Sequence, residues 1–185
     1  MIVSVSPAEV LADMKITMFV IGALCATALH GQDTTYVPAT DFASGRQVIA
    51  VYIGAKWCTP CMQPPMKDAI RRMKPLVRDQ ALKSGASFSA VLVALDRELA
   101  SALIFAEPLG AFDEYAFGND MAGLAAERFI WGEADPQPMV PQVIVGERTI
   151  EVQRGRPIIF GSFRVTRRVS GDSIPIWVAS GAPLR

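Results

Sequence analysis

The feature that most constrains this chain is a pair of cysteines placed between a strand pattern and a helix pattern. Residues 48–54, VIAVYIG, are apolar and β-branched and are bounded by turn residues, as in a strand buried on both faces. Cys58 and Cys61 follow, and from Met62 onward apolar residues recur at helical spacing. A second buried strand is predicted over residues 88–96. Strand, helix and strand in this order predict a right-handed βαβ unit, and hence a parallel sheet with helices on its faces.

The position of the cysteines favours redox chemistry. Cys58 would stand at the N-terminus of the helix, where unpaired N–H groups and the helix dipole stabilise a thiolate. Cys61 would lie one turn along on the same face, and Pro60 suits a first turn because its missing N–H is not needed there. Such a dithiol attacks a disulfide through Cys58 and is released by Cys61. We therefore expect Cys58 to be the exposed thiol and Cys61 the buried one.

Two other uses of the cysteine pair are weaker. A zinc site needs two further ligands, and the chain offers one other cysteine, Cys25, and one histidine, His30, both in or near the N-terminal segment described next. A purely structural disulfide across so short a loop gains little stability from loop closure. We expect neither a metal nor a cofactor.

An apolar stretch near the N-terminus predicts export. Residues 16–29 carry no charge, follow Lys15, and contain an A-x-A pattern at Ala26 and Ala28, which are the marks of a secretory signal peptide. The stretch is short for a membrane-spanning helix, which needs about 20 residues. We assign a signal peptide to residues 1–31, with Met14 as the expected true start. The alternative is an uncleaved anchor, and otherwise no membrane association is expected.

Composition narrows the function classes. The chain has 18 Lys and Arg against 18 Asp and Glu, so it lacks the basic excess of a general nucleic-acid binder. Residues 32–185 suit a single domain with an ample core. An exported domain lies in a periplasmic or secreted compartment, where disulfides persist.

Two motifs together resemble the thioredoxin superfamily. The first is VIAVYIGAKWCTPC, with Trp57 directly before Cys58 and a proline directly before Cys61. The second is MVPQVIV, residues 139–145, which looks like the family's cis-proline turn. The resemblance implies an α/β thioredoxin-like fold, in which a central mixed sheet with flanking helices places the cis-proline loop beside the cysteines.

Roles for individual residues follow from this resemblance. Cys58 would be the nucleophile and Cys61 the resolving thiol. Pro141 would be the cis residue, and the backbone of Val140 would pair with an extended substrate peptide. The substrate-binding residues would be Trp57, Thr59, Pro60, Val140 and Pro141.

The sequence departs from the family pattern in three places. Many thioredoxins carry a buried acid six residues before the first cysteine, and Tyr52 stands there, so that proton-shuttle role is vacant or passed to water. Residues 97–135 form a mainly helical insertion before the cis-proline. The usual C-terminal helix is not evident, so residues 155–185 are treated as an irregular extension that contains either a strand pair or a distorted helix. Residues 142–153 are expected to form a β-hairpin that turns at the segment GER.

The expected function is exchange of protein disulfides through the cysteine pair. Thr59 and Pro60 resemble the residues between the cysteines of reducing members, which favours a reductase over an oxidase. Its partners would be protein thiols and disulfides together with a redox partner protein. The alternative is a non-catalytic binding protein of the same fold whose cysteines stay permanently oxidised. Aromatic rings in the insertion are expected to be mostly core, with Phe112 or Tyr115 exposed as a docking contact.

Overall fold

The computed structural model describes residues 36–39, 43–118, 120–132, 136–156 and 158–184, and the predicted signal peptide lies outside them. The strands in this part of the chain are β1 (Gly45–Gly54), β2 (Ser87–Ala94), β3 (Glu114–Phe117), β4 (Gln142–Glu151), β5 (Ile159–Phe160) and β6 (Arg164–Ser170). The helices are α1 (Thr59–Met62), α2 (Pro64–Lys83), α3 (Leu99–Ala106), α4 (Leu124–Ala126, continued by a π-helical turn over Glu127–Trp131) and α5 (Ser173–Ala179). Short 3₁₀ turns cover Glu107–Leu109 and Asp120–Ala122.

The strands form one mixed sheet in the order β3-β2-β1-β4-β5, and β6 also pairs with β4. Strand β1 runs parallel to β2 and antiparallel to β4. Strand β3 is parallel to β2, whereas β5 and β6 are antiparallel to β4. The predicted central mixed sheet with flanking helices is therefore confirmed.

The βαβ unit forms as its sequence pattern predicts. Strand β1 is buried from Gln47 to Gly54, as expected for a central strand. The helical segment divides at Gln63, which ends α1 and precedes the first residue of α2, Pro64. A proline tolerates this position because a first-turn N–H has no helical partner. Pro75 lies inside α2. The buried stripe of α2 includes Lys74, which donates hydrogen bonds to two backbone carbonyls of the following insertion.

The segment over residues 97–135 is less helical than expected. It contains α3 and α4, but it also contributes β3 to the edge of the sheet beside β2. Asp113 begins this pairing, because its carboxylate accepts a hydrogen bond from the N–H of Ala90 at 2.6 Å. Strand β3 has only four residues, EYAF. A segment of that length does not show enough alternation of apolar and polar residues to distinguish a strand from a helix.

The predicted hairpin over residues 142–153 is wrong, because β4 runs through the segment GER without turning. Gly146 is needed there for close approach: a Cβ on it would lie 2.4 Å from the ring of Phe163. The two charged residues that follow find partners across the strands. Glu147 pairs with Arg164, and Arg148 donates to Gln47 at 2.7 Å. These contacts keep a polar segment in a strand.

The expectation of an irregular C-terminal extension is also corrected. Residues 158–184 contain β5, β6 and α5. The buried residues of α5 are Ile174, Trp177 and Val178, and this helix packs against α2. Residues 155–169 are expected from sequence to form a strand pair or a distorted helix, and they contain two strands, β5 and β6, each of which pairs with β4.

Helices cover both faces of the sheet. On one face, the ring of Tyr52 in β1 packs against Phe105 of α3. On the other, Ile49 of β1 and Leu124 of α4 line a common cavity of about 510 Å³. Residues that follow Gly54 leave the sheet at the carboxyl end of β1, and the cysteines lie there.

Candidate active site: a disulfide beside a cis-proline

The cysteines form a disulfide at the start of the helical segment. Cys58 and Cys61 are joined by an S–S bond of 2.04 Å. Cys58 precedes the first residue of α1, and its Sγ accepts a hydrogen bond from the N–H of Cys61 at 3.2 Å. A donor directed at this sulfur stabilises the thiolate that forms there when the bond is reduced.

Exposure distinguishes the two sulfur-bearing residues less sharply than expected. Cys58 is 5% exposed and Cys61 is fully buried, so Cys58 is a buried residue and not the openly exposed thiol predicted. The residues on either side of Cys58 are exposed, Trp57 to 56%. Thr59 and Pro60 are exposed as well. Access to the disulfide therefore comes through Cys58, between projecting side chains.

The peptide bond between Val140 and Pro141 is cis, as the resemblance predicts. Gln142, the next residue, is the register partner of Ile53 near the end of β1. The cis bond therefore lies at the sheet end where β1 leads into the disulfide loop. Val140 is partly buried and Met139 is largely exposed, so this loop presents both core and surface side chains. The substrate-binding roles of Trp57 and the other residues assigned above stay predictions.

Asp96 holds the loop that leads into the disulfide. This residue follows β2, is buried, and accepts hydrogen bonds from the N–H of Lys56 on both carboxylate oxygens, at 3.2 and 3.0 Å. The N–H of Cys58 in turn donates to the carbonyl of Ala55 at 3.2 Å. Sequence reasoning placed Asp96 only at the end of a strand. The available signal was an acid at the carboxyl end of a strand parallel to β1.

Gln142 holds the segment before the cis-proline in the same way. Its buried side-chain amide donates to the carbonyls of Gln137 and Met139, at 3.0 and 2.8 Å. Its side-chain oxygen accepts from Arg168 of β6 at 2.5 Å. The backbone N–H of Gly171 also donates to the carbonyl of Pro141. Sequence reasoning missed Gln142 and Arg168, because a polar residue in a short strand pattern gives no sign of its partner.

The hydroxyl of Tyr52 lies near the Cys61 sulfur, since a Cβ on Gly54 would be 3.2 Å from the oxygen and 3.3 Å from the sulfur. The tyrosine side chain is fully buried, and its hydroxyl has no hydrogen-bond partner among the described residues. Burial raises the pKa of this phenol well above its ordinary value. Tyr52 therefore keeps its proton throughout the physiological pH range.

A cleft of about 450 Å³ opens beside Trp57. Its lining residues are Lys56, Trp57, Asp96, Arg97, Glu98, Ser101 and Asp120. Arg97 and Asp120 form an ion pair across it at 3.4 Å. In the part of the chain that the structure describes, no three His, Cys, Asp or Glu side chains are grouped to hold a metal ion. No helix in the same residues is long and apolar enough to cross a membrane.

Comparison with known proteins found a solved structure to which this chain is similar. No family model matches the sequence, and no curated protein matches it. The chain is similar to a solved structure of MTB DsbF in its mixed oxidized and reduced forms, with 18% sequence identity. That match has a TM-score of 0.32 and covers 73% of this chain and 81% of that one.

The features of the chain itself agree with the resemblance found in its sequence. A buried strand leads into a Cys58–Cys61 disulfide that opens a helical segment, and a second parallel strand follows. A cis-proline precedes an antiparallel strand at the same end of the sheet. The chain thus has a thioredoxin-like fold that carries a CxxC disulfide.

Proposed function

We propose that the protein is an exported thiol–disulfide oxidoreductase that reduces disulfides in other proteins through Cys58 and Cys61. The observation that carries the proposal is the placement of the disulfide. It opens a helical segment, reaches the surface only through Cys58, and shares one end of the sheet with a cis peptide bond. A disulfide that served stability alone would not need to open a helical segment with an N–H donor aimed at the sulfur of the less buried cysteine.

The proposed cycle exchanges two electrons. The Cys58 thiolate attacks one sulfur of a substrate disulfide, so that a Cys58–substrate disulfide forms and the other substrate sulfur leaves as a thiolate. Cys61 then attacks the Cys58 sulfur, which closes the Cys58–Cys61 disulfide and releases the second substrate thiolate. The substrate is reduced and the protein is oxidised by the same two electrons. A dithiol donor protein must reduce Cys58–Cys61 again.

Residues around Cys58 are suited to hold a polypeptide substrate. Trp57 offers a large exposed ring, and aromatic side chains contribute strongly to protein interfaces. Thr59 and Pro60 are exposed on the other side of the sulfur. The backbone of Val140, before the cis bond, would pair with an extended substrate segment. In the proposal, these residues form the contact surface for the substrate around Cys58.

The direction and the location of the reaction are parts of the same proposal. Thr59 and Pro60 between the cysteines favour reduction of substrates over their oxidation. The uncharged stretch over residues 16–29 favours export to a periplasmic or secreted compartment. Expression of the full chain in a bacterial host, with mass spectrometry of the exported fraction, tests the location. The expected product lacks residues 1–31, and an intact chain in the cytoplasmic fraction would contradict export.

The activity is tested by dithiothreitol-dependent reduction of insulin. The wild-type chain should accelerate insulin precipitation, and Cys58→Ser should abolish the acceleration because the remaining thiol of the pair, Cys61, is fully buried. Cys61→Ser should also lose turnover, because the mixed disulfide is no longer resolved within the protein. Cys25→Ser is the matched control and should keep full activity. A wild-type protein with a reducible disulfide but no acceleration would favour the non-catalytic binding alternative.

A further inference from the structure

The hydroxyl of Tyr52 is a feature of the site that the proposed cycle does not use. It is fully buried and has no hydrogen-bond partner among the described residues. A buried polar group without a partner loses its hydration and gains nothing in return, which costs about 1–3 kcal/mol. Buried groups of this kind are rare in folded proteins, and each calls for a physical explanation. The disulfide state therefore carries a penalty at Tyr52.

The Tyr52 hydroxyl lies near the Cys61 sulfur. A Cβ placed on Gly54 would lie 3.2 Å from the Tyr52 oxygen and 3.3 Å from the Cys61 Sγ. The same point lies 2.7 Å from the ring of Phe105. The oxygen and the sulfur thus border one small space that a side chain at position 54 would fill. Glycine keeps that space open between the two atoms.

The hydroxyl is available there as a donor. The side chain of Tyr52, which belongs to β1, lies in an apolar part of the core against Phe105 of α3. Burial disfavours the phenolate, so the hydroxyl keeps its proton. Within the disulfide, the Cys61 sulfur is a weak acceptor. Reduction turns it into a thiol or thiolate, and hydrogen bonds to an ionised acceptor are about twice as strong as neutral ones.

We propose that Tyr52 is a positioning residue that donates a hydrogen bond to the Cys61 sulfur in the reduced protein. The bond satisfies in the dithiol state a hydroxyl that is unsatisfied in the disulfide state. Tyr52 therefore favours the reduced form and raises the reduction potential of the pair. This inference rests on the proposed function, because it requires that the disulfide is reduced and reformed during the cycle.

Reduction of the Cys58–Cys61 disulfide leaves the Tyr52 hydroxyl chemically unchanged. Two glutathione molecules supply the two electrons and two protons that break the Cys58–Cys61 bond, and they become glutathione disulfide. Cys58 and Cys61 become thiols, which ionise according to their own pKa values. The tyrosine neither gains nor loses an electron or a proton, and its effect is confined to the relative stability of the two redox forms.

The test is the equilibrium of each variant with a series of glutathione redox buffers. Tyr52→Phe removes the hydroxyl and keeps the ring. We expect its ratio of dithiol to disulfide at a given buffer to fall about tenfold, a potential about 30 mV more negative for a two-electron couple. Tyr36→Phe is the matched control, because Tyr36 is also buried but its hydroxyl bonds to Asp113, away from the cysteines. Its potential should equal that of the wild type.

Urea unfolding of both redox forms supplies a second measurement. In Tyr52→Phe the disulfide form should be at least as stable as the wild type, and the dithiol form should be less stable. Tyr36→Phe should lower the stability of both forms equally. An unchanged potential in Tyr52→Phe, or the same shift in both variants, would overturn the inference. If the wild type titrates with glutathione but does not reduce insulin, the proposed function fails while the Tyr52 comparison still stands.

Discussion

Buried polar side chains at the two ends of strand β1 differ in whether they have hydrogen-bond partners. At the Gly45 end, the buried amide of Gln47 donates to the hydroxyl of Ser89 and accepts from Arg148, each at 2.7 Å. At the Gly54 end, the hydroxyl of Tyr52 has no partner among the described residues and borders the Cys61 sulfur. The first arrangement stabilises one conformation of the sheet. The second leaves an unmet donor beside an atom whose bonding changes during the proposed cycle.

Two other buried polar residues away from the disulfide, Tyr36 and Lys74, are paired as Gln47 is. Tyr36 and the N–H of Ala39 both donate to the carboxylate of Asp113. The buried ammonium of Lys74 donates to the carbonyls of Leu109 and Ala111 and lies 4.3 Å from the centre of the Phe112 ring. Because buried polar groups are stabilising only when they are satisfied, these contacts belong to folding. Changes there should alter stability without altering the redox chemistry.

The largest effect on stability is expected at Phe112. Its ring is buried beneath Lys74, so Phe112→Ser leaves a cavity and should cost about 3–5 kcal/mol of unfolding free energy. Tyr115, the other ring considered for docking, is 45% exposed. Tyr115→Ser should cost less, about 2 kcal/mol, because its ring is only partly buried. Urea unfolding measures both.

The Phe112 result also decides between the two roles expected for these rings. Phe112 lies in the core, so of the pair only Tyr115 could contact a partner. Insulin reduction by Tyr115→Ser should equal that of the wild type. Equal stability losses in the two variants would contradict the burial difference on which this prediction rests.

The next effect is expected at Gln142, which belongs to the disulfide end. Gln142→Ala should lower stability by about 2–4 kcal/mol, because two carbonyls and Arg168 lose a buried partner. It should also slow insulin reduction severalfold, since the residues before the cis bond are less firmly held. Gln153→Ala is the control, because the Gln153 side chain is hydrogen-bonded to the exposed side chains of Glu151 and Arg156 near the other end of β4. A stable Gln142→Ala variant with full activity would show that this amide does not support the loop.

The smallest of these effects is expected at Gln47. Gln47→Leu keeps the side-chain size but removes the partner of Ser89 and Arg148, which should cost about 2 kcal/mol in both redox forms. The reduction potential should not change, because the disulfide lies at the other end of β1. A potential shift as large as that expected for Tyr52→Phe would remove the distinction between the two ends.

The sequence is informative where one residue type has few alternatives. The strand over residues 48–54 and the cysteine pair at Cys58 and Cys61 are predicted by short patterns, and both are present. The cis bond before Pro141 is expected from the family resemblance, because most X-Pro bonds are trans. The site could therefore be located from sequence alone.

The parts that sequence missed depend on contacts between distant segments. The segment GER stays in β4 because Gly146 admits the ring of Phe163 and because Arg148 reaches Gln47. Asp96 and Gln142 support the site through backbone groups that no side-chain pattern encodes. Strand β3 is specified by its pairing with β2 rather than by its four residues. Such contacts become visible only once the chain is folded.

Trapping of a mixed disulfide tests most directly the claim that Cys58 is the attacking thiol and Cys61 the resolving one. Cys61→Ser, reduced and then freed of dithiothreitol, should form a covalent adduct with oxidised insulin, and peptide mass spectrometry should map it to Cys58. Cys58→Ser treated in the same way should give no adduct through Cys61, because that sulfur is fully buried. An adduct at Cys61, or none in the Cys61→Ser variant, would contradict the account.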